Sequence, residues 1–200
     1  MDALNEIGEI LNSDDFECSE FHNIKASKCD FSGKIFSECS FKDCDFAEAN
    51  FTLAKFQECV FDNCNLSLAD FKNTSVQQVE FKNCKILGVN FSYCNSFAFD
   101  MKFNKCLINN CNFSDIKLRK TSFAGCEIIT TDFINNDFSE ADFSGASFRD
   151  TVFKKVNLSK ADFSNAAGYQ INPFENNIKK ASFSMPEAMS LLEYLDIVIK

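Results

Sequence analysis

The chain has 200 residues and an unusual composition, with 25 phenylalanines, 11 cysteines, one histidine and no tryptophan. Its formal net charge of −9 argues against a direct nucleic-acid partner, because phosphate binding needs a basic surface. No stretch approaches the roughly 18 apolar residues of a membrane span, so we expect no membrane association.

The first predicted element covers residues 1–15 and would cap the start of the repeat that follows. Apolar residues recur there at helical spacing: Ala3, Leu4, Ile7, Ile10 and Leu11. We expect a short amphipathic cap, because the open end of a stacked repeat needs covering. The segment also lacks the basic start and long apolar core of a secretory signal, so we expect a cytoplasmic location.

A five-residue repeat fills residues 16–168. The central residue of each unit, position i, is nearly always large and apolar, and the residue at i−2 is small or β-branched in most units. In residues 36–51, for example, phenylalanine occurs every five residues and Cys39, Cys44 and Ala49 occupy i−2. Lys34 also occupies i−2, and the pattern does not explain it.

The period of five predicts the backbone path. Positions i and i−2 both point inward on an extended segment, so the chain must turn a corner after every unit to keep them inside. Four corners close a square coil of about 20 residues, and successive coils stack at the β spacing of roughly 4.8 Å. We therefore predict an all-β fold, a right-handed quadrilateral β-helix in which residues 20 apart form ladders.

The cysteines follow the same repeat. All except Cys18 occupy i−2, and Cys44, Cys64 and Cys84 would stack in one column. We interpret them as small buried hydrophobes, with a metal site and disulfides as the alternatives. Parallel ladders lack the converging Cβ vectors that a disulfide needs. We expect no metal or other cofactor.

The repeat slips by two residues within residues 94–103. Phe97 and Phe99 are central residues in neither phase, and Asp100 lies beside them. The slip is either a tolerated insertion or a contact site for a partner, since loops on a rigid scaffold often carry function. We take these three residues as candidate partner-binding residues.

The last segment, residues 169–200, leaves the repeat pattern. Ser184 and Glu187 form a predicted capping box with Pro186 in the first turn, and a helix and then a short strand at Asp196–Lys200 should follow. This apolar material either caps the last coil or pairs with a second copy in a homodimer. The candidate interface residues are Phe183, Met185, Ala188, Leu191, Leu192, Leu195 and Ile197.

The sequence carries no catalytic motif. It has no phosphate-binding glycine loop and no zinc-binding HExxH, and His22 is its single histidine. Asp and Asn recur at i−1, where a short polar side chain can bond the backbone at the corner. We therefore expect a binding protein rather than an enzyme.

Several units resemble the pentapeptide-repeat family, including Ala49-Asn50-Phe51, Ala69-Asp70-Phe71 and Ala141-Asp142-Phe143. Residues 64–75 and 79–91 are similar to Qnr quinolone-resistance proteins, and residues 172–197 are similar to the dimerisation module of the chromosomal kind. The resemblance implies a homodimeric rod that binds DNA gyrase or topoisomerase IV and protects it from quinolones. Many Qnr proteins carry two projecting loops. The first has no counterpart in this sequence, and at the place of the second there is only the short slip at 94–103.

The acidic residues are concentrated in the first third of the chain. Residues 1–60 contain 13 acidic and 5 basic residues, so a whole-rod mimic of DNA charge is disfavoured although a DNA-like shape is not. The candidate partner-binding carboxylates are Glu38, Asp43, Asp45 and Glu48. The alternative function is a structural or scaffolding repeat protein with an unrelated protein partner.

Overall fold

The computed structural model describes residues 8, 12–95 and 99–198, and it shows a parallel β-solenoid of about 8 turns. The chain turns a corner after every five residues, and parallel pairing joins residues 20 apart, such as Phe36 with Phe56. The all-β quadrilateral β-helix is therefore confirmed. The cap expected over residues 1–15 lies mostly outside the described residues, which include only residues 8 and 12–15 of it.

Each coil has four walls, which we number in chain order by the central residues that face inward. Wall 1 carries Phe16, Phe36, Phe56, Val76, Leu118, Phe138, Leu158 and Ile178. Wall 2 carries Phe21, Phe41, Phe61, Phe81, Phe103, Phe123, Phe143, Phe163 and Phe183. Wall 3 carries Ala26, Phe46, Leu66, Ile86, Ile108, Ile128 and Phe148. Wall 4 carries Phe31, Phe51, Phe71, Phe91, Phe113, Phe133 and Phe153.

The strands are short because a corner follows each one. Wall 1 contains strands Asp15–Glu17, Ile35–Ser37, Lys55–Gln57 and Ser75–Gln77. Wall 2 contains Glu20–His22, Ser40–Lys42, Val60–Asp62, Val79–Lys82, Met101–Asn104, Phe123–Ala124, Asp162–Phe163 and Ser182–Phe183. Wall 3 contains Lys85–Leu87, Leu107–Asn109, Glu127–Ile129 and Ser147–Arg149, and wall 4 contains Asp132–Ile134 and Val152–Lys154. Among the described residues, 3₁₀ helices span Phe91–Tyr93 and Glu187–Leu195.

Stacked phenylalanines form the core. On wall 2 the ring of Phe61 lies 4.6 Å from that of Phe41 and 5.1 Å from that of Phe81, and both pairs are nearly parallel. The stack on this wall continues without interruption from Phe21 to Phe183. The fold therefore rests on side chains that only adjacent coils can bury, as the repeat predicts.

The corners have a specific chemistry. The residue at i+2 adopts positive φ, as Glu38 does at 53° and Leu53 at 62°. An Asp side chain at i−1 accepts a hydrogen bond from the N–H at i+1, with a distance of 3.0 Å from Ser32 to Asp30. The backbone contact predicted for the i−1 carboxylates is thus confirmed at this corner, where it offsets part of the cost of a left-handed residue.

Amide side chains separate many of the stacked carboxylates. Asn50 donates to Asp30 at 2.9 Å from the adjacent coil, and Asn157 donates to Asp137 at the same distance. A carboxylate that accepts from an amide avoids the repulsion that two stacked carboxylates would experience. The alternation of Asp and Asn at i−1 therefore has a structural role.

Lys34 is buried at its i−2 position. Its ammonium group donates to the carbonyl oxygen of Ser13 at 2.6 Å and lies 3.5 Å from a carboxylate oxygen of Asp14. A buried ammonium group needs such partners, because its desolvation is otherwise costly. Lys34 therefore ties the segment before the first strand to the second coil.

The C-terminal segment differs from the sequence-based expectation. Coil pairing continues past Gly168, with Asn157 opposite Asn177 and Phe163 opposite Phe183. The pattern is hard to read there because a period of five places Gly168 and Pro173 at central positions, whereas the structure pairs Phe153 with the buried Ile171. The solenoid therefore ends near Phe183 rather than at residue 168.

The predicted capping box at Ser184 is wrong. The C-terminal 3₁₀ helix, Glu187–Leu195, has Pro186 as its N-cap without a side-chain cap bond, and the hydroxyl oxygen of Ser184 accepts from the N–H of Asn165 at 3.0 Å. The hydroxyl is thus engaged by the coil instead of the helix. The strand predicted at Asp196–Lys200 is also wrong for Asp196–Val198, since Asp196 adopts φ 52° and no neighbouring strand edge pairs with these residues.

Candidate protein-binding wall

The two-residue insertion lies on wall 1. Central residues on the other three walls pair across 22 residues at this level, as Phe81 does with Phe103 and Ile86 with Ile108. On wall 1 the N–H of Asn95 donates to Thr74 and the N–H of Asp100 donates to Val76. The extra residues therefore fall between Asn95 and Asp100, and they interrupt this wall alone.

Phe99 lies between two hollows beside the insertion. One hollow, of about 310 Å³, is lined by Phe99, Asp115, Ile116 and Lys117. The second, of about 450 Å³, is lined by Gln57, Glu58, Gln77, Gln78, Phe99 and Asp100. Phe99 is half-buried and packs against the core, and its side chain lines both hollows.

The structure separates most of the acidic residues that the sequence groups together. Glu38 lies on wall 1, Asp43 lies on wall 2, and Asp45 and Glu48 lie on wall 3. Asp43 accepts from Asn63 at 2.6 Å, Asp45 accepts from Asn65 at 2.9 Å, and Glu48 pairs with Lys28 at 3.5 Å. These four carboxylates therefore cannot contact one flat partner surface together.

Glu38, Phe99 and Asp100 share wall 1. Glu38, Glu58 and Gln78 are 20 residues apart and form one column at the i+2 corner, which leads to the hollow beside Phe99. Sequence reasoning missed Gln57, Glu58, Gln77 and Gln78, although adding 20 or 40 to the number of Glu38 would have found two of them. The remaining candidate, Phe97, lies outside the described residues.

The cysteines lie in the interior, except for Cys18 and Cys29. The thiol of Cys64 donates to the carbonyl oxygens of Phe41 at 3.3 Å and Asp62 at 3.4 Å. Burial raises the pKa of Cys94 to about 12 and that of Cys111 to about 11. Thiols held protonated in this way pack as small apolar groups, in agreement with the packing interpretation.

The described residues also bear on metal binding, on the single histidine and on membrane-spanning helices. No group of three or more His, Cys, Asp or Glu side chains among residues 8, 12–95 and 99–198 could hold a metal ion. His22 is exposed and lies 3.5 Å from Glu20 on the same strand. In the same residues no helix is long and apolar enough to cross a membrane.

The candidate dimer-interface residues differ in how far they are buried. Phe183 stacks on Phe163 at 5.2 Å and Leu191 packs against the core, so both help to cover the last coil. Ala188 and Leu192 are half-buried. In contrast, Met185 is 70% exposed, Leu195 is 43% exposed and Ile197 is 55% exposed. The tail therefore covers the end of the solenoid and still presents an apolar surface to solvent.

The family model for the pentapeptide repeat region matches residues 34–97 and 96–163. Two solved structures of trypsin-treated variants of QnrB1, described as a plasmid-mediated fluoroquinolone resistance protein, share 23% sequence identity with this chain. One variant has a TM-score of 0.80 over 93% of this chain and 98% of its own, and the other has a TM-score of 0.77 over 93% and 99%. These comparisons, together with the repeat, agree on the fold.

HetL from Nostoc, a pentapeptide-repeat protein involved in heterocyst differentiation regulation, has 13% identity and a TM-score of only 0.33 over 89% of this chain and 90% of its own. No curated protein sequence matches the chain significantly.

Proposed function

We propose a function for this chain from one established premise, namely that it belongs to the pentapeptide-repeat family. The proposed function is binding to type II DNA topoisomerases, gyrase or topoisomerase IV, and protection of these enzymes from fluoroquinolones. The observation that carries the proposal is the likeness to QnrB1, a fluoroquinolone resistance protein, over 93% of this chain with a TM-score of 0.80.

The contact surface in this proposal is wall 1 beside the insertion. A flat parallel β-wall offers a partner few recesses, and two hollows on wall 1 are lined by Phe99. Aromatic side chains are enriched among the residues that contribute most to binding at protein interfaces. Glu58 and Asp100 would contribute charge contacts at its edge.

Shape rather than charge would give the likeness to DNA. About eight coils at roughly 4.8 Å give a rod of about 38 Å, and a duplex of that length carries about 22 charges at one per ~1.7 Å. The chain carries a net charge of −9, less than half of that number. The proposed contact is therefore a specific one through wall 1, and it does not require a continuous acidic surface.

The proposed partner also includes a second copy of the chain. Met185, Ile197 and Val198 are exposed, at 70%, 55% and 86%, beside the end of the solenoid. A two-fold contact would use this surface twice and bury both copies of it. The dimer would be a longer rod with the acidic N-terminal coils at its two tips.

The deciding experiment is a gyrase supercoiling assay with and without ciprofloxacin. We expect the purified protein to restore supercoiling in the presence of the drug, and the Phe99→Ala/Asp100→Lys variant to restore far less. The matched control is Leu68→Ala/Asp150→Lys, which makes similar chemical changes at exposed positions on wall 3 and should keep the protective effect. Failure of the unmodified protein to restore supercoiling at any concentration would contradict the proposal.

A further inference from the structure

The charge of wall 1 reverses sign at the insertion. Before the insertion, its outward side chains include the acidic Asp15, Glu17, Glu38 and Glu58 and the basic Lys55. After the insertion, they include two acidic residues, Asp137 and Glu140, and six exposed basic residues, which we call the basic half-wall: Lys117, Arg119, Lys120, Lys160, Lys179 and Lys180.

The ion pairs of the basic half-wall leave it with a surplus of positive charge. Arg119 lies 3.7 Å from Asp137, and Glu140 lies 4.0 Å from Lys120 and 3.4 Å from Lys160. Both carboxylates are thus engaged. Lys117, Lys179 and Lys180 form no ion pair with any described residue.

The reversal is particular to wall 1. At the same level, wall 2 carries the exposed Lys102 and Lys105 and the half-buried Asp142 and Asp162, so its positive and negative charges are equal in number. Wall 4 carries Asp115, Asp132 and Glu175 with Lys154 and Lys155, and wall 3 carries Glu127, Arg149 and Asp150, so each of these two walls has one more acidic residue than basic ones. Wall 1 therefore has six exposed basic residues at this level, whereas walls 2 and 4 have two each and wall 3 has one among the described residues.

We propose that the basic half-wall docks an acidic segment of the protein partner. The acidic half of wall 1 would meet a basic part of the same partner, so the partner lies along the wall in one orientation. This inference rests on the proposed function for the identity of the partner. Complementary charges would then set orientation and association rate more than final affinity.

The dimensions fit a short polypeptide. The rows at Leu118 and Ile178 are three coil spacings apart, or about 14 Å at ~4.8 Å per coil. An extended segment of four or five residues covers that distance at about 3.3 Å per residue. The basic half-wall is about two Debye lengths long at physiological salt, and its charges are exposed to solvent. Added salt therefore screens them, and the effect of the contact should weaken.

Duplex DNA fits the same surface less well. A duplex carries a charge every ~1.7 Å and is stiff over tens of base pairs, so along the rod axis it would meet Asp137, Glu140 and then the acidic half of wall 1. No aromatic side chain is exposed among the described residues of the basic half-wall, so stacking on single-stranded bases has no platform.

The test compares two double variants with the same change in net charge. Lys117→Glu/Lys180→Glu alters the basic half-wall, and Lys154→Glu/Lys155→Glu alters wall 4 next to it. All four side chains are exposed, so both variants should fold, which circular dichroism checks. We expect the first to slow association with immobilised gyrase at least tenfold at low salt and less at high salt, and the second to change it less than twofold.

The outcomes separate this inference from the proposed function. No binding of gyrase by the unmodified protein would contradict the proposed function and, with it, this inference. Normal binding with equal rates for both variants would overturn the inference alone. A 30-base-pair duplex serves as the second probe, and the inference is also overturned if the basic half-wall variant loses duplex binding but keeps its gyrase binding.

Zero-length carbodiimide cross-linking of the complex provides direct evidence, because it joins lysine amines to carboxylates in contact. We expect peptides that link Lys117, Lys120, Lys179 or Lys180 to Asp or Glu of a gyrase subunit. Links that form only from lysines of the other walls would overturn the inference.

Discussion

At the scale of single residues, position in the five-residue unit decides what a cysteine does. Cys64 at i−2 is 2% exposed and donates to backbone carbonyls, whereas Cys18 at the i+2 corner is exposed and lies 3.8 Å from a carboxylate oxygen of Glu38. The two side chains are chemically identical and differ only in their environment. The coil makes the first a packing group and leaves the second available to reagents.

The exposed thiol gives a prediction about pH. The carboxylate of Glu38 disfavours the thiolate and raises the pKa of Cys18. Replacement of Glu38 by Gln should lower that pKa, so the reaction with a disulfide reagent should be severalfold faster at pH 8 and its midpoint should move to lower pH. A Cys29→Ala background isolates the signal. Glu48→Gln, on wall 3, should leave the rate unchanged, and an equal increase there would contradict the explanation.

Two buried asparagines on wall 1 give a prediction about stability. The amide nitrogen of each donates to two backbone carbonyls, those of Phe153 and Asn172 for Asn176 and those of Phe113 and Ile116 for Asn136. The side-chain oxygen of Asn176 accepts from the N–H of Val156, whereas that of Asn136 is buried without a hydrogen-bond partner in the described structure. Replacement by Val should cost about 2 kcal/mol more at Asn176, because it leaves the N–H of Val156 unsatisfied there and removes an unsatisfied oxygen at Asn136. Urea unfolding of both variants measures the difference, and equal costs would contradict the assignment.

At the scale of elements, the C-terminal 3₁₀ helix is held to the solenoid by few contacts. It buries none of its residues completely and has no side-chain cap. The groove between it and the last coil is lined by Gly168, Tyr169, Pro186, Glu187, Met189, Ser190 and Glu193. Burial, and then the charge of Glu187, raises the pKa of Tyr169, whose hydroxyl is buried without a partner in the described structure. The helix thus covers the coil without forming strong polar contacts with it.

Truncation after Ser184 tests the role of this element. Because the phenylalanine stack ends at Phe183, we expect the shortened protein to keep its β circular dichroism spectrum and nearly all of its thermal stability. We expect light scattering to give twice 22.6 kDa for the full chain and a monomer mass for the truncated one. A truncated protein that still dimerises would contradict the tail interface, and a full-length monomer would contradict the dimer.

At the scale of the whole molecule, the stacking direction fixes both shape and charge distribution. Coils of constant size can only add length, so the chain becomes a rod, and residues close in sequence are spread around its circumference. Net negative charge collects toward the N-terminal end because residues 1–60 hold 13 of the 29 acidic residues with 5 of the 20 basic ones. A partner therefore encounters different signs of charge at different heights.

Small-angle scattering should report this shape. Eight coils at about 4.8 Å give a solenoid of about 38 Å, so a tail-to-tail dimer should have a maximum dimension of at least about 75 Å. A side-by-side dimer would give a value near that of the monomer and would contradict the end-to-end arrangement. The truncated protein supplies the monomer reference at the same concentration.

The sequence by itself determined the fold, since a strict period of five with large residues at i and small ones at i−2 permits one way to bury both. It also determined that coils stack 20 residues apart and that the cysteines at i−2 face the interior, where nine of the ten are buried and Cys29, in the first coil, is half-buried. The tertiary structure alone decided that Asp100 shares a wall with Glu38 and Glu58, and that the acidic residues before the insertion share it with Lys117 and Lys180 after it. The end of the solenoid at Phe183 and the partner of Ser184 also required it, because Gly168 and Pro173 hide the repeat there. The physical reason is that the chain makes a quarter turn every five residues, so the wall on which a residue lies depends on its exact register. An insertion changes that register, and the local sequence pattern does not reveal by how much.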